Sequence, residues 1–240
     1  MWRMDWSIIL NLPKLPKILE TMHRMTDRPD LYSEQDCYDY VRYIVSLMEK
    51  SGCITTECFG KENLPEEGGY VLYPNHQGKY DAYSIIAVHE KALTAVMDRE
   101  MSYFVLVNEI MEILRGKRLD IRDARQALKV MNQISQEVAQ GRRYTIFPEG
   151  GYDNQKRNTL WDFKPGCFRA ATKAGVPIVP VVLKDSYKVY NSWQITPVKT
   201  QVHFLEPIYA EEYQNMNTTQ IAAAVKERIR NKLVDLGCEP

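Results

Sequence analysis

The stretch Pro74-Asn75-His76-Gln77-Gly78-Lys79-Tyr80-Asp81 places a histidine five residues before an aspartate. An imidazole titrates near neutrality, and a carboxylate bonded to one ring nitrogen fixes the tautomer that leaves the other as a general base. On a regular helix the two side chains would point about 140° apart. They can meet only if His76 lies on a turn and Asp81 in the first turn of the helix that follows. Gly78 and the Asn-His-Gln-Gly composition suit such a turn. The same residues also fit a turn histidine beside an aspartate that a helix start favours.

Three other stretches carry possible chemistry. Phe147-Pro148-Glu149-Gly150-Gly151 follows an apolar run, and a glycine at a strand end lets backbone amides approach a substrate oxygen. It equally fits a plain turn with a solvated Glu149. Gly116-Lys117-Arg118-Leu119-Asp120-Ile121-Arg122 ends in an arginine able to clamp a phosphate in a bidentate fork, or simply to face solvent. Val176-Pro177-Ile178-Val179-Pro180-Val181 reads as a buried strand and nothing more. The sequence holds no G-x-S-x-G, P-loop, G-x-G-x-x-G or H-E-x-x-H pattern. Cys53 and Cys58 have no second pair to complete a zinc site, so no metal is expected. His23, His89 and His203 sit in periodic segments and read as structural.

Such residues need a scaffold that holds strand ends and helix starts together. Short β-rich runs at 70–73, 94–97, 144–147, 178–183 and 201–205 alternate with helical stretches at 34–50, 82–91, 124–140, 167–174 and 219–236. Gly52 stops the first helix, and the last has Thr218 as N-cap and Gly237 just past its end. This alternation predicts an α/β fold: a mostly parallel or mixed sheet flanked by helices. An N-terminal helical appendage precedes it, with 1–52 as a membrane-surface segment and 53–240 as the α/β domain.

That appendage differs in composition. Trp2 and Trp6 lead into Ile8, Ile9, Leu10, Leu12, Leu15, Ile18, Leu19, Met22 and Met25, with Arg3, Lys14, Lys17 and Arg24 alongside. Aromatic ends, an apolar stripe and basic flanks suit a helix lying in a lipid headgroup layer, or one packed on its own core. Pro13 and Pro16 should break or kink it. No stretch of about 18 apolar residues spans a bilayer. Over all 240 residues, 31 Lys+Arg balance 31 Asp+Glu, so composition offers a nucleic-acid partner no electrostatic support. With 45% hydrophobic and 26% charged residues, the chain composition is that of a globular protein and excludes a disordered one. An odd five cysteines and no secretory signal point to a reducing compartment.

In this order the four stretches resemble the glycerolipid acyltransferase family, in particular the 1-acylglycerol-3-phosphate acyltransferases. Its signature is H-x-x-x-x-D, then G-x-x-[FIL]-x-x-R, then F-P-E-G, then V-P-[IV]-[VI]-P, here His76 to Asp81, Gly116 to Arg122, Phe147 to Gly150 and Val176 to Val181. Gly60-Lys61-Glu62-Asn63-Leu64-Pro65 and Phe163-Lys164-Pro165-Gly166-Cys167-Phe168-Arg169 resemble connecting segments of the family, so the likeness covers about residues 54–206. It implies acyl transfer from a thioester, acyl-CoA or acyl carrier protein, to the hydroxyl of a lysoglycerolipid, without metal or other cofactor. It also implies His76 as general base, Asp81 as its orienter, a backbone amide near Gly150 for the oxyanion, and Asn75, Arg122, Glu149 and Gly150 on the acceptor. Family members work on or in membranes, which implies a peripheral or monotopic protein on the cytoplasmic side of a membrane. Two positions depart from the pattern. Gly151-Tyr152 stands where F-P-E-G continues Thr/Ser-Arg, with Lys156 and Arg157 as candidate substitutes, and Asp98-Arg99-Glu100-Met101 stands where a K-K-E-L stretch is common. The first removes an expected phosphate ligand and keeps open another lysolipid, a glycolipid, an amine-bearing lipid, or a lipid-binding role without turnover.

Overall fold

The computed structural model describes residues 7, 9–103, 106–153, 155–191 and 196–239. Its strands are β1 (Ile54–Phe59), β2 (Tyr70–Pro74), β3 (Thr94–Asp98), β4 (Lys117–Leu119), β5 (Arg143–Thr145), β6 (Ile178–Lys184) and β7 (Val198–Phe204). They form one sheet in the order β1-β7-β6-β2-β5-β3-β4. Neighbours pair in parallel except β6 and β7, which are antiparallel. The mixed, mostly parallel sheet expected from the alternation is therefore present.

The helices are α1 (Leu15–Asp27), α2 (Glu34–Gly52), α3 (Asp81–Val88), α4 (Val107–Ile113), α5 (Ala124–Ala139), α6 (Arg169–Ala174), α7 (Lys188–Asn191), α8 (Ala210–Tyr213) and α9 (Thr218–Asp235). Two cores, one on each face of the sheet, explain the strand pattern. Tyr70 and Leu72 of β2 join Met22 of α1, Val41 of α2 and Ile85 of α3. Val71 and Tyr73, pointing the other way, join Ile134 of α5, Ala171 of α6 and Ile229 of α9. Successive strand residues face opposite sides, so a strand covered on both faces reads as a continuous apolar run. Every residue of β2 is buried, which fixes the base of the turn that carries His76.

Local chemistry sets the helix ends. Ser33 and Asp36 form a reciprocal capping box at the start of α2. At α9 the capping box is made by Asn217 with Gln220, so the cap lies one residue before Thr218. Asn217 wins because its side-chain oxygen reaches the amides of both Thr219 and Gln220. Gly52 is the last residue of α2, and the left-handed turn falls at Cys53. Pro13 lies in a three-residue 3-10 turn, and Pro16 occupies the first turn of α1, where a missing amide donor costs nothing. The prolines thus divide the N-terminal segment. Ile9, Leu10 and Leu12 are exposed there, while Ile18, Met22 and Met25 are buried. Trp2, Trp6 and Ile8 lie outside the described residues. No described helix is long and apolar enough to cross a membrane.

Two buried histidines make stability depend on pH. His89 donates from Nδ1 to the Lys91 carbonyl at 2.8 Å, so its Nε2, 2.7 Å away, accepts from the Tyr70 hydroxyl. Burial pulls its pKa down to about 4, and burial does the same to His203, with Lys232 and Lys184 adding to the shift. An unfolded histidine titrates near 6.5, so above that pH neither state binds the proton and the full stability is present. Between about 6.5 and 4 the unfolded state binds protons that the folded state does not, and stability falls as pH falls. Each histidine contributes a slope of up to about 1.4 kcal/mol per pH unit in that window. The expected result is a Tm several degrees lower at pH 4.5 than at pH 7, with part of the loss absent in His89→Gln. A wild-type Tm that is flat across this window contradicts the assignment.

Candidate active site

Strand β2 delivers the chain to Pro74, residues 75–80 turn, and α3 begins at Asp81. His76 thereby sits at the carboxyl edge of the parallel strands, where open α/β sheets bind ligands. Its Nδ1 lies 2.7 Å from Asp81 Oδ2. A carboxylate oxygen only accepts, so Nδ1 carries the hydrogen and Nε2 keeps its lone pair. The turn-and-helix-start geometry required by the five-residue spacing is thus the one adopted.

Asp81 is fully buried and fully engaged. Its Oδ2 also accepts the amides of Gln77 and of Gly78, the latter at 2.9 Å, and Oδ1 accepts the Ser186 hydroxyl. A buried carboxylate without such donors would cost several kcal/mol. One side chain therefore holds both the ring and the turn beneath it. Ser186 follows β6, and it reaches Asp81 because Asp185 adopts a left-handed φ of 64°. Asn158 braces that turn, donating to Asp185 Oδ1 at 3.1 Å and accepting its amide at 3.0 Å.

The ring of His76 lies between two aromatic rings, Phe147 stacked at 4.2 Å and Tyr152 edge-on at 4.6 Å. Burial and the nearby Asp81 charge raise the Tyr152 pKa, so this phenol stays protonated at neutral pH. The imidazole keeps 18% of its surface exposed, enough for a substrate to reach it.

Glu149 lies directly behind His76. Oε1 accepts the His76 amide at 2.8 Å, Oε2 accepts the Trp161 amide at 2.7 Å, and Lys156 forms an ion pair with the same carboxylate. Asn75 is also turned inward, exchanging two hydrogen bonds with the main chain of Leu183, at 2.7 and 3.0 Å. The polar atoms of Asn75 and Glu149 are therefore engaged within the protein. Gly150 adopts φ of 70°, and a Cβ there would strike the Lys164 side chain. Its amide donates to the Phe147 carbonyl, whereas the Gly151 amide donates to no group among the described residues. The candidate oxyanion donor near Gly150 is accordingly the next amide along.

Arg122 follows β4, at the same edge of the sheet but three strands away from β2. Its side chain is 78% exposed and rests 3.5 Å from Glu100. Arg118, four residues earlier, is occupied instead by Ser102, Asn108 and Glu112, with Tyr103 beneath its guanidinium. Arg122 is the cation of that stretch left open to solvent. Sequence reasoning missed Ser186, Asn158 and Trp161, for which no local spacing exists. Lys156 was visible only as a candidate phosphate ligand.

The His76–Asp81 turn, Phe147–Gly150 and Arg122 thus follow parallel strands at one edge of an α/β sheet, with the histidine–aspartate pair on the central strand, while Val176–Val181 runs into the neighbouring strand β6. A family model described as Acyltransferase matches residues 55–184, more than half of the chain and all four stretches. The chain belongs to the acyltransferase family. Among its relatives are the 1-acyl-sn-glycerol-3-phosphate acyltransferases of Saccharomyces cerevisiae, 25% identical over 189 residues, and Haemophilus influenzae, 24% identical over 163. These alignments cover 75% and 68% of this chain and 60% and 67% of the respective relatives. The human enzyme named 1-acyl-sn-glycerol-3-phosphate acyltransferase alpha is 26% identical, with 63% of its length covered. This acyltransferase chain therefore spans about three-fifths of the yeast and human relatives. The crystal structure of a 1-acyl-sn-glycerophosphate acyltransferase from Thermotoga maritima superposes with a TM-score of 0.73 over 98% of this chain and 96% of that one. At 19% identity that likeness establishes the acyltransferase fold.

Proposed function

We propose that this protein is an O-acyltransferase that moves a fatty acyl group from an acyl thioester, carried by coenzyme A or acyl carrier protein, to the hydroxyl of a lysophosphatidate-type glycerolipid. The observation that carries this reading is His76 Nδ1 bonded to a buried Asp81 whose carboxylate also accepts from two turn amides and the Ser186 hydroxyl. Nε2 takes the proton of the acceptor hydroxyl as its oxygen attacks the thioester carbonyl. The resulting tetrahedral oxyanion lies against the Gly151 amide. It collapses to the ester, and the departing thiolate recovers the proton from the imidazolium. The acid–base step is worth about 10²–10⁴ in rate. The acceptor's phosphate is held by Arg122, with Lys164 beside Gly150 as a second exposed cation.

The exposed Ile9, Leu10 and Leu12 support a peripheral or monotopic attachment to a membrane, where a lysolipid acceptor and its product would both reside, and the cytoplasmic side is the face proposed. Tyr152 favours a second reading of the acceptor. An aromatic ring lies on His76 where the family pattern carries an arginine, which suits a lysolipid without a phosphate. Incubation with acyl thioesters and a panel of acceptors separates the two. Phosphatidate from lysophosphatidate, with at least about tenfold less product from a phosphate-free acceptor, is the expected result. The reverse preference assigns the second reading, and no product from any pair removes both.

A further inference from the structure

Lys156, four residues beyond Tyr152, offers a cation for the acceptor's phosphate when read from the sequence. Its surroundings give it a different task. Its side chain is 0% exposed. An ammonium has three protons, and three partners surround this one: the His76 carbonyl at 2.9 Å, the Glu149 carboxylate, and the indole face of Trp161 with the nitrogen 4.8 Å from the ring centroid. No proton is left for a substrate. Glu149, the other half of the pair, accepts the amide of the same histidine at 2.8 Å.

We infer that the buried Glu149–Lys156 pair is a clamp on the main chain of the base: Glu149 holds the N–H of His76, Lys156 holds its C=O, and the ion pair joins the two. Lys156 is a positioning residue and does not bind the acceptor. The inference rests on the reading of His76 as the base. The next two amides, those of Gln77 and Gly78, are held by Asp81, so the turn is fixed from His76 to Gly78 by two carboxylates and one ammonium. Burial pulls the Lys156 pKa down to about 7 while the Asp81 charge opposes it, and the Glu149 carboxylate in contact with the amine favours the protonated form that the clamp uses. The loop from Tyr152 to Trp161 is folded to bring this amine inward. Lys156 donates its amide to Asp153, its carbonyl accepts the amide and hydroxyl of Thr159, and Arg157 takes a left-handed φ of 48°. The resulting arrangement separates duties that one exposed arginine could not combine, leaving phosphate recognition to cations outside the clamp.

The test is the split between kcat and KM on a phosphate-bearing and a phosphate-free acceptor, because a base displaced by about 1 Å loses up to about 10²-fold in rate. In Lys156→Met, kcat should fall about tenfold to hundredfold on both acceptors, with KM for each within about twofold of wild type. A KM rise of tenfold or more confined to the phosphate-bearing acceptor overturns the clamp and makes Lys156 a phosphate ligand. Because Lys156→Met leaves a buried carboxylate without its cation and can unfold, Glu149→Gln/Lys156→Met supplies the second arm. It holds no unpaired buried charge and keeps an acceptor for the His76 amide, but nothing donates to the His76 carbonyl. Its Tm should recover towards wild type while kcat stays at least about tenfold low. Recovery of both overturns the inference, since Lys156 would then only balance charge. His76→Ala, assayed alongside, separates the layers. Wild-type activity there removes the base itself, whereas an inactive His76→Ala beside a fully active Lys156→Met removes the clamp alone.

Discussion

A His76→Ala protein should remain folded and lose about 10²–10⁴ of its acyl-transfer rate, the contribution of a positioned general base to attack by an unactivated hydroxyl. The fold survives because what holds residue 76 is its main chain. Its amide bonds to Glu149 and its carbonyl to Lys156, and neither bond involves the ring. The substitution removes the stacking against Phe147 and Tyr152 from a ring already partly exposed, together with one of the four hydrogen bonds to Asp81. Product formation and Tm measured on one preparation check both halves. Loss of activity accompanied by collapse of Tm would mean that the ring is part of the core.

The second large effect falls on Asp81, and two substitutions separate what it does. Asparagine can keep the geometry. Its amide oxygen takes the place of Oδ2 beneath His76, Gln77 and Gly78, and its NH2 group faces a Ser186 hydroxyl able to accept as well as donate. What disappears is the negative charge that favours the imidazolium formed when Nε2 takes the proton. Asp81→Asn should therefore keep a near-native Tm and lose about 10²-fold or more in kcat. Asp81→Ala loses the same activity and also leaves the Gln77 and Gly78 amides buried without acceptors, at about 1–3 kcal/mol each. For a chain of this size that lowers Tm by roughly 2–4 °C per kcal/mol. Equal Tm values for the two variants would show that the carboxylate does not hold the turn.

How much of this was legible in the sequence follows from the range of each interaction. His76 and Asp81 could be paired on paper because five residues, one glycine and one helix start decide their geometry. The alternation of buried strands with helices likewise survives translation into three dimensions, since the central strands β2 and β6 are covered on both faces. β1 and β4 escaped notice for a physical reason: both lie at the edges of the sheet, and neither forms a continuous apolar run. Glu149 and Asn75 carry polar atoms that only the fold could show to be engaged, by partners 73 and 108 residues away. Ser186 and Lys156 are more distant in kind, because each depends on a left-handed residue beside it, Asp185 and Arg157, that no propensity predicts. The departure at Tyr152 was visible, but its consequence was not. Of the two candidate cations in the same loop, Lys156 turns inward and Arg157 stays exposed.

The central claim is that His76, oriented by Asp81, deprotonates the acceptor of an acyl-thioester transfer. Mass spectrometry of the products tests it most directly, with purified wild type and His76→Ala each given an acyl thioester and lysophosphatidate under identical conditions. The account predicts phosphatidate from the wild type and at least about a hundredfold less from the variant. Phosphatidate from both proteins at the same rate would contradict it.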